Sequence, residues 1–237
     1  MLRHVRAIHQ HVPIDLEFDD DVYQPGSLTE TMADIMEVRP NDVAIDVGCG
    51  TGYLGIMASL LGAGHVFCTD PEPNAVRWTL HNARLNGATN ITALQGGALD
   101  PVEHLQMDLI LTLPPQMPYP LDFNPWRHGG TDGTDVILRI IAQASRVLKK
   151  EGGRMYLLHA ALAHPEKVRN ALSEHRFSWE IVRTVERKFE RAELEDLTPG
   201  LSDYLLELGR KGLAEIASRD GQEYYPIWFY RAVRTGT

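Results

Sequence analysis

The chain has 237 residues, a hydrophobic content of 43% and a formal net charge of −9, which is enough apolar material for one substantial core. The negative charge disfavours a nucleic-acid partner, because contacts to phosphate require basic surface. There is no apolar run near the roughly 20 residues of a membrane span and no signal-peptide core, and there are only two cysteines, so a cytoplasmic protein without a membrane partner is predicted.

The N-terminal region, residues 1–40, is predicted to be an arm followed by a helix. Apolar and acidic residues alternate between positions 14 and 18, which is typical of a half-buried strand. Ser27 and Glu30 have the spacing of a capping box, so a helix should begin near Ser27 and end before Pro40.

Strand and helix patterns then alternate through a predicted core over residues 41–189. Apolar runs predict strands at 43–47, 66–69, 91–94, 107–111, 154–159 and 179–186. Helical patterns fall at 52–62, 74–86, 135–150 and 165–175. This succession indicates one α/β domain with a Rossmann-like, doubly wound, mostly parallel sheet of seven strands. A helical insertion at 190–222 precedes the last strand segment, 223–237.

The end of the first core strand is the most informative segment of the chain. This strand ends in Asp46 and breaks into a turn of small residues, Gly48, Gly50, Thr51 and Gly52. Such a turn brings backbone close to an adenosine-type ligand. The next core strand ends in Asp70, which is followed by Pro71. A carboxylate at that position can accept hydrogen bonds from the two hydroxyls of a ribose.

Asp46 distinguishes between two adenosine-type ligands. A nicotinamide cofactor carries a pyrophosphate, which this anion would repel by roughly 1–4 kcal/mol at a few ångströms. S-adenosylmethionine (SAM) carries an α-ammonium and a sulfonium and has no phosphate. The segment therefore favours SAM as the cofactor, with S-adenosylhomocysteine as the product, and leaves a nicotinamide oxidoreductase as an alternative.

The glycine turn and Asp70 make the chain resemble the class I SAM-dependent methyltransferases over about residues 22–160. That resemblance implies the fold and the cofactor given above. It also implies that the backbone of Ala98 or Leu99 contacts the adenine. The usual acid after the third core strand is missing, and Asp100 is the alternative partner for the adenine amine.

The segment after the fourth core strand reads Leu113-Pro114-Pro115-Gln116. It resembles the N-P-P-Y motif of amino-group and amide N-methyltransferases, which include the protein-glutamine methyltransferases. In that family, the Asn side chain and a proline carbonyl hold the acceptor NH₂, and the aromatic ring stacks on it. The resemblance places Pro114 and Gln116 at the acceptor and Leu113 beside the cofactor. Leucine cannot accept a hydrogen bond, and an unpartnered buried amide costs roughly 1–3 kcal/mol, so amide methylation by this route is in doubt.

Two further segments resemble the same branch of methyltransferases. Tyr23, Pro25 and Thr29 match a segment that folds over SAM. Residues 129–133 match the G-G-x-x-G that opens the helix after the active-site loop.

A hydroxyl, thiol or ammonium acceptor must also lose a proton, which invites a general base. His128, beside the glycines, and His159, at the end of the fifth core strand, are the candidates, although a structural role is the commoner one for a histidine. The histidines do not show metal-ligand spacing, so no metal is predicted.

The insertion 190–222 carries an apolar stripe at helical spacing. Such a stripe indicates core packing, a homodimer contact or a lid over a small pocket. Together with the acidic balance and the altered proline motif, it favours methyl transfer to a small molecule in specialised metabolism. Two alternatives stay open: a protein-glutamine or ribosome N-methyltransferase, and a catalytically inactive SAM-binding partner subunit.

Overall fold

The computed structural model describes residues 1–235, so the end of the predicted final segment, 236–237, lies outside the described residues. The N-terminal arm is a hairpin of β1 (Arg3–His9) and β2 (Val12–Phe18), followed by α1 (Ser27–Ile35). The alternation in β2 buries its apolar residues, as predicted. Helix α1 begins at Ser27, but the expected capping box does not form, because Gly26 is the N-cap and no side chain caps the helix.

The core alternates strands and helices as the sequence predicted. Its elements are β3 (Val43–Val47), α2 (Tyr53–Leu60), β4 (His65–Asp70), α3 (Pro73–Leu85), β5 (Ile91–Gln95), β6 (Leu109–Thr112), α4 (Asp135–Val147), β7 (Arg154–Ala160), α5 (Pro165–Glu174) and β8 (Phe177–Lys188). The chain continues through α6 (Arg191–Leu197), α7 (Leu201–Arg210), β9 (Ala217–Arg219) and β10 (Gln222–Arg234).

The main sheet has the strand order β5-β4-β3-β6-β7-β10-β8, and the short β9 pairs with β10. The strands from β5 to β7 are parallel, whereas β10 runs antiparallel to β7, β8 and β9. The predicted mostly parallel sheet of seven strands is confirmed, with β9 as a short eighth. The chain moves outward from β3 to β4 and β5, then returns to place β6 on the other side of β3. The carboxyl ends of these strands therefore border a crevice at a topological switch point.

Helices cover both faces of the sheet and make two apolar layers. One layer packs α1, α2, α3 and the hairpin strand β2 against the sheet. The other packs α4 and α5 against the opposite face. Burial on both faces explains why the central strands are continuous apolar runs. In the part of the chain that is described, none of the helices combines the length and the apolar character that a membrane crossing requires.

Candidate active site

A pocket of about 660 Å³ opens at the carboxyl ends of β3, β4 and β6, a size typical of a small-ligand site. Most of the residues predicted for the cofactor and the acceptor line this pocket. They are Tyr23, Pro25, Thr29, Asp46, Gly48, Gly50, Thr51, Asp70, Pro71, Ala98, Leu113, Pro114, Gln116 and His128. Three predicted site residues do not line it: Gly52, Leu99 and His159.

Asp46, the penultimate residue of β3, is a buried carboxyl group in the pocket wall. Its Oδ2 atom accepts a 2.9 Å hydrogen bond from the backbone N–H of Gly55, which lies in the first turn of α2. Burial raises the pKa of Asp46 to about 7, and the negative charge of Asp70 adds to that rise. Within residues 1–235 no basic side chain acts on this carboxylate, so a cationic ligand would stabilise its ionised form.

The glycine turn depends on backbone conformations that only glycine adopts easily. Gly48, Gly50 and Gly52 have φ angles of 74°, 53° and 84°. A Cβ atom on Gly52 would lie 3.0 Å from the Cα atom of Thr79 in α3. Gly52 therefore shapes the turn by its close packing against α3, rather than lining the pocket as predicted.

Asp70 ends β4 directly beside this turn. Its Oδ2 atom accepts a 3.0 Å hydrogen bond from the N–H of Gly50, and its Oδ1 atom accepts one of 3.0 Å from the N–H of Glu72. Burial raises the pKa of Asp70, and the two backbone N–H groups oppose that rise. Since a carboxylate has about four lone-pair sites, each oxygen can still accept a ribose hydroxyl.

The adenine side of the pocket differs in part from the prediction. Gly97 and Ala98 line the pocket after β5. Leu99 is fully buried, and its N–H donates to Oε1 of Gln143 at 3.0 Å, so its backbone is not available to a ligand. Asp100 accepts a 2.5 Å hydrogen bond from Nε2 of Gln143 and does not line the pocket. Of the two residues predicted to contact the adenine, Ala98 lines the pocket and Leu99 does not.

The segment before α1 crosses the glycine turn, as the resemblance implied. The Tyr23 carbonyl oxygen lies 3.6 Å from the place that a Cβ on Gly50 would take. Pro25 and Thr29 follow along the same wall of the pocket. The segment therefore lies against the turn and contributes to the lining of the pocket.

The loop between β6 and α4 folds back on itself beside the pocket. The N–H groups of Gln116 and Met117 both donate to the carbonyl of Arg127, at 2.9 and 2.7 Å. Gly129 lies against this turn, because a Cβ there would be 2.5 Å from the Cα atom of Gln116. The glycines of the predicted G-G-x-x-G segment are therefore required by close backbone packing, and they bring Arg127 and His128 to the pocket.

The Gln116 side chain fastens this loop to β7. Its Oε1 atom accepts a 2.5 Å hydrogen bond from the N–H of Ala160. Its Nε2 atom donates to the carbonyls of Leu158 and Pro114, both at 3.3 Å. The amide of Gln116 is thus engaged by the protein itself, and Leu113 contributes only an apolar surface.

The two candidate bases lie in different surroundings. Nε2 of His128 is 2.9 Å from the Tyr119 carbonyl, and its Nδ1 is 3.1 Å from Oδ1 of Asp122, so both nitrogens face oxygen acceptors. His159 is fully buried outside the pocket, with Nε2 2.7 Å from the Ala163 carbonyl, and burial lowers its pKa to about 4. The structure thus brings His128 but not His159 to the pocket. Among residues 1–235, no three His, Cys, Asp or Glu side chains form a metal-binding group.

Among the pocket residues that the sequence analysis missed are Arg127, Arg187 and Tyr225. They come from the loop between β6 and α4 (residues 113–134, called the proline loop below), from β8 and from β10. They meet because Tyr225 pairs with Arg187 in the antiparallel part of the sheet. The sequence carries no local signal for that pairing. Conversely, none of residues 190–222 lines the pocket, so the insertion is not a lid over it.

Comparison with known proteins identifies the family of the chain. Residues 24–184, more than half of the chain, match the family model described as the methyltransferase small domain. The chain is 29% identical over 184 residues to a protein of Methanocaldococcus jannaschii that is provisionally named a protein N5-glutamine methyltransferase, a match covering 75% of this chain and 91% of that one. It is 33% identical over 91 residues to the ribosomal protein L11 methyltransferase of Caldanaerobacter subterraneus, covering 38% of this chain and 25% of the relative.

A solved structure shows the same fold. The precorrin-6y C5,15-methyltransferase of Geobacter metallireducens superposes with a TM-score of 0.55 at 18% identity, covering 91% of this chain and 96% of that one. At this identity the likeness establishes the fold alone. The family match extends through the glycine turn, the second strand-end carboxylate and the proline loop. The chain belongs to the methyltransferase small domain family and is a SAM-dependent methyltransferase.

Proposed function

We propose that this methyltransferase transfers the SAM methyl group to a side chain of another protein. The observation that carries the proposal is the open mouth of the pocket. Two half-exposed aromatic residues border this mouth, Tyr23 with 43% and Trp126 with 38% of their surface accessible. Because the insertion packs elsewhere, a side chain projecting from a large acceptor has a path to the pocket.

The relatives support the same acceptor class. The longest described match, over 91% of the relative's length, is to the protein provisionally named for methylation of protein glutamine. The small-molecule acceptor predicted from the sequence depended partly on a lid, which the insertion does not provide. A protein acceptor, held open as the alternative in the sequence analysis, therefore fits this chain better.

The residues of the cofactor half suit SAM chemically. Asp46 is a buried carboxyl group without a counter-ion, and a cationic methionine tail would supply one. Asp70 can take the ribose hydroxyls, and Gly97 and Ala98 can contact the adenine through their backbone. SAM, when bound, supplies a methyl group on a positively charged sulfur.

The remaining residues of the pocket orient the acceptor and exclude water. Leu113 and Pro114 form an apolar wall after β6, where β6 pairs with the strand that bears Asp46. Direct methyl transfer needs the acceptor atom in line with the donor, and such alignment is worth roughly 7–11 kcal/mol. Gln116 contributes by holding the loop on β7, which keeps that wall in place. The histidine at the pocket, His128, acts in the same way by linking two parts of the loop.

The state of the two cysteines supports a proposal for the compartment. Cys49 and Cys68 are both free and buried. We place the reaction in the reducing cytoplasm, which this state of the cysteines supports.

Labelled methyl transfer tests the proposal. Purified enzyme and SAM carrying a tritiated methyl group are incubated with three fractions of an extract from cells that naturally contain the enzyme: proteins, RNA and small molecules. We expect the label in the protein fraction, where treatment with protease releases it and treatment with nuclease does not. Mass spectrometry of the labelled peptide then identifies the methylated residue. Label that appears only in RNA or only in small molecules would contradict the proposal.

A further inference from the structure

Two arginines at the mouth of the pocket lack a carboxylate partner. Arg127 comes from the proline loop and Arg187 from the end of β8, and both line the pocket. Neither forms an ion pair with any residue of the described range 1–235. The Arg127 guanidinium lies 5.9 Å from the ring centre of Tyr23, and Arg187 donates a 3.3 Å hydrogen bond to Oγ of Ser27.

The two guanidinium groups act on one position in the pocket. Tyr225, on β10, is paired with Arg187 across the sheet. Burial raises the pKa of the Tyr225 phenol, the positive charges of Arg187 and then Arg127 oppose that rise, and the negative charge of Glu193 adds to it more weakly. Both cations therefore lie within electrostatic range of the same phenol, although they are 60 residues apart in the chain.

The charged groups of the pocket are unequally paired. Its acidic residues are Asp46, Asp70, Glu72 and Asp135, and one of its three arginines, Arg139, is paired with Asp100. The other two, Arg127 and Arg187, form no ion pair within residues 1–235, on a chain whose net charge is −9. Like charges that share one pocket repel each other, so this arrangement does not stabilise the empty protein. An anionic ligand would remove that repulsion.

We propose that Arg127 and Arg187 together bind a carboxylate of the protein acceptor, an aspartate or glutamate side chain close to the methylated residue. This inference rests on the proposed function, because it names a feature of the same acceptor. The planar guanidinium of arginine matches a carboxylate with two parallel hydrogen bonds. The exposed rings of Tyr23 and Trp126 offer flat surfaces for the residues that flank it.

The test replaces both arginines by glutamine, which keeps a polar side chain of similar length and removes the charge. Arg183→Gln is the matched control, since Arg183 lies on the same strand as Arg187 and outside the pocket. We expect the double variant to need about tenfold more acceptor protein for half-maximal methyl transfer, because two charge-assisted hydrogen bonds are lost. SAM affinity, measured by calorimetry, should stay within about twofold of the wild type, since the cofactor half is untouched.

A binding measurement separates this inference from the proposed function. Fluorescein-labelled hexaglutamate is titrated with each protein and followed by fluorescence anisotropy, with labelled hexalysine and poly(U) as comparison ligands. We expect the wild type and Arg183→Gln to bind hexaglutamate, with binding about tenfold weaker in the double variant. This result stands even if the wild type methylates no protein.

Three results would overturn the inference. One is equal acceptor use and equal hexaglutamate binding by the wild type and the double variant. Another is a loss of SAM affinity in the double variant, which would mean that the arginines support the cofactor half. The third is binding of poly(U) in preference to hexaglutamate, which would assign the arginines to a nucleic acid.

Discussion

At the scale of single residues, Asp46 couples cofactor binding to pH. Its pKa lies at about 7 in the protein alone, since the carboxyl group is buried. A cationic ligand favours the carboxylate, so SAM binding should release a proton below that pH. We expect SAM affinity to rise about fivefold between pH 6 and pH 7, by a further twofold or less up to pH 8, and to level off at higher pH. Calorimetric titrations in a pH series measure this directly.

The control for this prediction is Asp46→Asn, which keeps an acceptor oxygen for the N–H of Gly55 but does not titrate. In that variant the affinity should be lower at pH 8 and nearly independent of pH. A wild-type affinity that stays constant from about pH 6 to pH 8 would show that Asp46 does not titrate with SAM binding.

A second prediction at this scale concerns Gln116. Replacing it by alanine leaves the N–H of Ala160 and the carbonyl of Leu158 without their partner. We expect Gln116→Ala to lower the free energy of unfolding by about 1–3 kcal/mol. Denaturant titration checks this, with the exposed Gln106→Ala as control. Equal midpoints for the two variants would mean that Gln116 does not fasten the loop.

Single residues also show which parts of the site could be predicted from the sequence. Asp46, Asp70 and the glycines were predictable, because the strand, the turn and the charge lie together in one short segment. The exclusion of Leu99 from the pocket depends on Gln143, which lies 44 positions away. The mouth arginines depend on a strand pairing, and no local pattern predicts which strand lies next to which.

At the scale of elements, the insertion 190–222 supports the proline loop from outside the pocket. The Tyr119 hydroxyl donates to the carbonyl of Pro199 at 2.7 Å, and the Tyr204 hydroxyl donates to that of Thr131 at 2.9 Å. The two rings also form an edge-to-face pair, with their centroids 5.6 Å apart. The amphipathic stripe was predictable, but the surface that it covers is a separate cluster around Leu162.

We expect the double variant Tyr119→Phe and Tyr204→Phe to loosen the loop without unfolding the protein. Each lost hydrogen bond is worth about 1 kcal/mol, or about fivefold in the local opening equilibrium. Hydrogen exchange at residues 113–134 should therefore accelerate, and the acceptor concentration for half-maximal transfer should rise several-fold. SAM affinity should not change. Tyr224→Phe is the control, because Tyr224 stacks with Arg219 through its ring. Unchanged exchange in the loop would refute the supporting role.

At the scale of the whole molecule, the alternation of strands and helices predicted the doubly wound sheet and the switch point. The antiparallel pairing of β10 with β7 and β8 was not specified by that alternation, since a helix does not precede β10 directly. The same is true of the N-terminal hairpin, where only β2 carries a clear period-two pattern. The cofactor half of the site was therefore predictable, whereas the acceptor half depends on tertiary pairing.

The central claim is that the carboxylates at the strand ends bind SAM, with Asp46 facing its cationic tail and Asp70 accepting from its ribose hydroxyls. Calorimetric titration of SAM into the wild type and into Asp70→Ala tests it most directly, with Asp70→Asn as a control for the hydrogen bond from Gly50. We predict binding of SAM by the wild type, a loss of more than about tenfold in Asp70→Ala, and no heat with NADH. Equal SAM affinity in both proteins, or binding of NADH in place of SAM, would contradict the account.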